Sequence, residues 1–138
     1  MKMLMVFVTY TLLITSTLNA SPIDGVWSLK SFTVYENGQA SPYCKGAHGH
    51  VVYEPSGFVS FAINCPTQTS KSNEKDVFYA GLFKIKGKSV LHYIMNASNQ
   101  TLIKKTVTRS FRRQKNSLML NGTFSGKSFS TVWIPVRR

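Results

Sequence analysis

From Trp27 onward the chain is a train of short apolar-alternating runs separated by turn residues about every ten positions, with no stretch of helical 3.6-residue periodicity. The runs fall at 27–35, 48–54, 58–63, 77–86, 89–95, 102–112, 118–123 and 127–134. Asn37-Gly38, Pro55-Ser56-Gly57, Gly87 and Ser125-Gly126 punctuate them. Within 77–86, Val77, Tyr79, Gly81, Phe83 and Ile85 share one face; within 102–112, Ile103, Lys105, Val107, Arg109 and Phe111 do. Strands this close in sequence pair with their neighbours antiparallel. About eight of them make an all-β, up-and-down antiparallel barrel, which leaves no exposed edge. A β-sandwich competes, but the links are too short and regular for Greek-key crossovers.

The hairpin 49–54/58–63 also constrains the cysteines. Glu54-Pro55-Ser56-Gly57 fits a type I turn followed by a glycine bulge. Folding there sets position 47 opposite Cys65, with Cys44 three residues beyond, so Cys44 and Cys65 are expected to form a disulfide. The bulged register puts Tyr53, Val59 and Phe61 on one face and His50, Glu54 and Ser60 on a wetter one. Cys44, His48 and His50 also form a Cys-x3-His-x-His cluster, but no fourth ligand accompanies them and no metal is expected.

Residues 1–20 read as a secretory signal peptide. Lys2 precedes a mostly apolar run from Met3 to Leu18, and Ala20 offers a small residue for cleavage. The run is too short, and too interrupted by Thr and Ser, for a membrane span. The domain is then 21–138, secreted or periplasmic, which also suits a disulfide.

The net charge is +12, and no carboxylate follows Asp76 while twelve Lys or Arg do. Such a field favours anionic partners, an acidic membrane or a polysaccharide. Basic and aromatic residues interleave at Lys84, Lys86, Lys88 and Tyr93, a pattern that can bind single-stranded nucleic acid, but export argues against that role.

An ordered set of motifs resembles the lipocalin-like domain family of small calycin barrels. Gly25-Val26-Trp27-Ser28-Leu29 opens the first strand with Ser31-Phe32. Gly49-x-x-x-Tyr53-x-Pro55-x-Gly57-x-x-Ser60, Tyr79-x-Gly81, Val90-x-His92, Arg109 and a final-strand Trp133 follow. The likeness runs over residues 23–134. One departure is Pro135, where the family carries a basic residue two positions after the terminal Trp. The resemblance implies a barrel with an internal cavity. It also implies a late-strand Arg packed over the first-strand Trp, here Arg109 or Arg137 over Trp27.

The five acids sit at strand ends, turns or loops rather than as a catalytic pair, and no Gly-x-Ser-x-Gly elbow or His-Glu-x-x-His motif is present, so binding is favoured over catalysis, and no cofactor is expected. Ser60, His92 and Arg109 are polar residues embedded in apolar strands. His92 is either a neutral core histidine or a donor inside the cavity. Arg109, on a face with Val107 and Phe111, must be paired or stacked: it either caps the barrel over Trp27 or anchors a ligand carboxylate. Tyr53, Phe61 and Phe83 complete the expected lining, and Trp27 and Trp133 are expected to be structural. The leading expectation is an exported lipocalin-like barrel that holds a small apolar or amphipathic ligand, anionic ones included. The alternatives are a filled barrel that docks through its basic surface, and a small cavity isomerase. Oligomeric state is left open by the sequence.

Overall fold

The computed structural model describes residues 20–66 and 76–137. The segment before Ala20, where the signal peptide is expected, and residues 67–75 of the polar loop lie outside the described residues.

Among the described residues nine strands follow one another: β1 (Gly25–Glu36), β2 (Gln39–Pro42), β3 (His48–Tyr53), β4 (Phe58–Asn64), β5 (Val77–Lys86), β6 (Ser89–Ala97), β7 (Thr106–Gln114), β8 (Ser117–Phe124) and β9 (Lys127–Pro135). Each of β3 to β9 pairs with the next, β1 pairs with β3, and β9 returns to β1. The result is a closed, eight-stranded, antiparallel up-and-down barrel. β2 is the ninth strand, a short exposed ribbon on the far half of β1 through Thr33↔Pro42 to Glu36↔Gln39. Periodicity does not reveal it, because none of its four residues is buried.

The turn chemistry read from 54–57 is realised. Gly57 N–H donates to the Glu54 carbonyl at 2.8 Å and Gly57 adopts φ 93°. Few residues other than glycine occupy that left-handed region without strain. The pairs Val51↔Phe61 and Tyr53↔Val59 then turn all four side chains inward. The β5–β6 register shifts between Ala80 and Gly81, and a Cβ at Gly81 would collide with the Tyr93 carbonyl oxygen.

Two local departures from simple alternation matter for the interior. In β1 the register against β9 shifts between Leu29 and Ser31. That bulge flips the inward phase, so Trp27 before it and Phe32 and Val34 after it all face the core. The run beginning at 102 is not all strand. Gln100–Leu102 is a short 3-10 helix, and β7 starts at Thr106. Asn99 explains the delay: its Oδ1 accepts from the Thr101 amide at 3.1 Å and the Thr101 hydroxyl at 2.7 Å, fixing a turn where a strand would run.

Cys44 and Cys65 are joined, tying the segment after β2 to the end of β4. Cys44 is therefore not available to a metal, and His48 turns its Nδ1 to the Gly46 carbonyl.

Candidate functional site

The interior divides along the barrel axis. At the end carrying the 54–57 and 114–117 turns it is filled. Trp27, Val51, Tyr53, Leu118 and Trp133 are each at most 2% exposed there. Trp27 Nε1 donates to the Ile23 carbonyl at 2.9 Å. Trp133 Nε1 donates to Thr131 Oγ1 at 2.7 Å, and that hydroxyl donates to the Leu120 carbonyl at 3.2 Å. Both indoles have their polar handle satisfied, as buried tryptophans require.

At the other end the barrel opens into a cavity of about 870 Å³. Its walls include Phe32, Phe61, Tyr79, Leu102, Arg109 and Phe129. The 3-10 segment at Gln100–Leu102 and the β8–β9 turn at Phe124–Ser125 form part of its rim. This size suits a small organic ligand in a mostly apolar pocket with few polar groups.

Between floor and cavity lies a buried polar chain. His92 is fully buried in mid-β6. Its Nε2 is 2.9 Å from the Tyr53 hydroxyl and its Nδ1 2.8 Å from the Tyr79 hydroxyl. Burial, reinforced by the Arg109 guanidinium, pushes His92 down to about 3. The imidazole is therefore neutral at physiological pH, with one ring nitrogen donating and the other accepting. Burial pushes the Tyr79 hydroxyl up to about 12, against the pull of the adjacent Arg109. Burial likewise raises Tyr53 well above the ordinary tyrosine value. The cation beside Tyr79 favours its hydroxyl proton pointing away, onto His92 Nδ1. The ring proton then sits on Nε2 and donates to Tyr53 Oη.

Arg109 itself points inward with Val107 and Phe111, as alternation predicts. Its guanidinium carbon lies 4.9 Å from the centre of the Phe129 ring, and Nη1 donates to the Thr108 carbonyl at 3.3 Å. Among the described residues no carboxylate pairs with it. Asp76, the acid on the cavity rim, instead accepts from the Cys65 amide at 2.7 Å.

The sequence-derived candidates separate accordingly. Phe61 and Arg109 line the cavity. Tyr53 and His92 lie beneath it, and Phe83 meets Tyr53 edge-on at 4.9 Å. Ser60 alternates with Val59 and Phe61 and shares the outer face with Ala62, so it is not brought into the interior. The arginine over Trp27 is neither Arg109 nor Arg137 but Arg113, whose guanidinium carbon lies 4.7 Å from the ring centre. Arg113 is two residues after Phe111 and four after Arg109, so the same strand phase pointed to it. Tyr79 was also legible as inward-facing, but nothing in the sequence pairs it with His92. Phe32, Phe124 and Phe129 also line the cavity, although the sequence expectations place none of them there.

No family model matches this chain, and no curated protein sequence matches it. Its fold is similar to a solved structure described as a redesigned β-barrel. The TM-score is 0.50 at 16% identity, over 84% of this chain and 93% of that one. At that identity the likeness speaks to the barrel architecture alone.

Proposed function

We propose that this barrel binds a small amphipathic molecule with an acidic head group, such as a long-chain carboxylate. The observation that carries the reading is Arg109, a cation inside an aromatic cavity with no carboxylate partner among the described residues. A guanidinium so placed binds a carboxylate through two parallel, charge-assisted hydrogen bonds. Tyr79 lies beside it, and Phe32, Phe61 and Phe129 offer apolar surface to the rest of the ligand. The lipocalin-like sequence motifs support the same reading. The protein acts outside the reducing cytosol, a placement with which the Cys44–Cys65 disulfide is compatible. Native mass spectrometry of the exported protein, followed by titration with a long-chain fatty acid and with its alcohol, tests the proposal. A one-to-one complex with the acid and a much weaker one with the alcohol is expected. Equal binding of both, or of neither, overturns it.

A second reading concerns the outer surface. Phe58, Leu82 and Tyr93 form a cross-strand row on β4, β5 and β6, each between 37% and 50% exposed. With a strongly basic chain around it, this row suits an anionic membrane surface, from which an amphipathic ligand is drawn. Vesicle binding that weakens steeply from low to physiological salt is expected, and salt-independent association excludes it.

A further inference from the structure

The segment entering β1 ends in an unfinished electrostatic contact. The Ser21 backbone nitrogen donates to Asp24 Oδ2 at 2.8 Å, and the Asp24 amide donates back to the Ser21 carbonyl at 3.2 Å. The Ser21 hydroxyl accepts from the Ile23 amide at 3.3 Å. Ile23 is fully buried, and its carbonyl holds the Trp27 indole. The turn Ser21–Asp24 is thus docked into the filled end of the barrel. Yet Asp24 Oδ1 is buried and has no hydrogen-bond partner. A buried carboxylate oxygen met by a single neutral amide across the group is poorly compensated. No cation pairs with Asp24 among the described residues.

We propose that the peptide bond between Ala20 and Ser21 is the maturation site, and that the α-ammonium released there completes the Asp24 contact. Hydrolysis by an export endopeptidase adds one water. The acyl half leaves as the Ala20 carboxylate on the removed segment, and the Ser21 nitrogen takes up a proton. A neutral amide carrying one N–H becomes an ammonium carrying three, at the same position 2.8 Å from the carboxylate. Its positive charge acts on both oxygens of the delocalised group, Oδ1 included. Ala20 supplies the small residue before the cut, and Ser21 stands at the first position the fold uses. Cleavage one residue later would remove the nitrogen and hydroxyl that order the turn. Cleavage one residue earlier would leave the amide in place of the ammonium. The inference stands apart from the ligand reading and survives if that reading fails.

The full chain with its leader is expressed in an exporting host, and the intact mass of the product is measured. A product beginning at Ser21 is expected; any other start overturns the proposal. A second chain carries Gly-Ser inserted between Ala20 and Ser21, which leaves the cut in place but returns the Ser21 nitrogen to an amide. Its melting temperature is expected to fall by roughly 3–6 °C, the size of one charge-assisted contact in a domain of this length. The same insertion in an Asp24→Asn background is expected to change little. An equal drop in both backgrounds, or none in the first, shows that the ammonium is not paired with Asp24. Should Asp24→Asn fail to accumulate, the insertion alone decides, since it leaves Asp24 untouched and an unchanged melting temperature overturns the pairing.

Discussion

Gly122 makes room for Arg109. A Cβ added at Gly122 would stand 2.8 Å from both Cδ and Nη1 of Arg109, and 3.0 Å from the Phe129 ring. The absent side chain on β8 is what lets a guanidinium from β7 lie across the barrel interior over Phe129. Cation, ring and glycine form one arrangement, and the acid-binding reading rests on it.

Arg109→Ala is expected to weaken a long-chain carboxylate by roughly 2–3 kcal/mol, the scale of a hydrogen bond to a charged group. The matching alcohol should bind about as before. Because Arg113 rather than Arg109 covers Trp27, the indole environment should stay the same. Titration calorimetry with both ligands, together with the tryptophan emission spectrum, checks all three points.

Arg113→Ala should have the converse profile. Removing a cation–π contact at an exposed guanidinium is expected to cost about 0.5–1 kcal/mol of stability. Tryptophan fluorescence should shift while acid binding is retained. A chemical-denaturation midpoint and an emission scan are sufficient measurements.

Gly122→Val tests the room itself. The new side chain must displace the Arg109 stem or the Phe129 ring. Acid binding is expected to fall by about 1–3 kcal/mol as the guanidinium loses its position. The alcohol should be affected only through lost volume. If acid binding survives while the barrel stays folded, Arg109 reaches its ligand by another geometry.

His92 sets an acid limit. Its folded value of about 3 lies below the ordinary 6.5, so the unfolded chain takes up a proton that the folded chain refuses. The neutral form's contribution is present above about 6.5 and is lost as pH falls from there toward 3. The slope attributable to this one group is at most about 1.4 kcal/mol per pH unit. Urea unfolding across that range should therefore show stability falling with acid. His92→Gln, although less stable at neutral pH, should show a flatter profile, and an unchanged slope would assign the acid sensitivity to other groups.

Much of this protein is decided along the chain. Alternation over 77–86 and again at Val107, Arg109 and Phe111 states which side chains face inward, because a strand's side-chain period is two wherever its backbone is regular. Pro55-Ser56-Gly57 sets the register of its hairpin, and that register brings Cys44 within reach of Cys65. Where local hydrogen bonds or a bulge interrupt the period, reading along the chain loses the phase: Asn99 delays β7, and the shift after Leu29 turns Phe32 rather than Thr33 inward. Pairings across the barrel are beyond it altogether. His92 meets Tyr79 and Tyr53, 13 and 39 positions away, and Arg113 rather than Arg109 covers Trp27. Whether the interior is filled or hollow also depends on closure, because volume is a property of all eight strands together. The indoles and Tyr53 converge at one end, and at the other Gly122 and a ring of phenylalanines leave space around a single guanidinium.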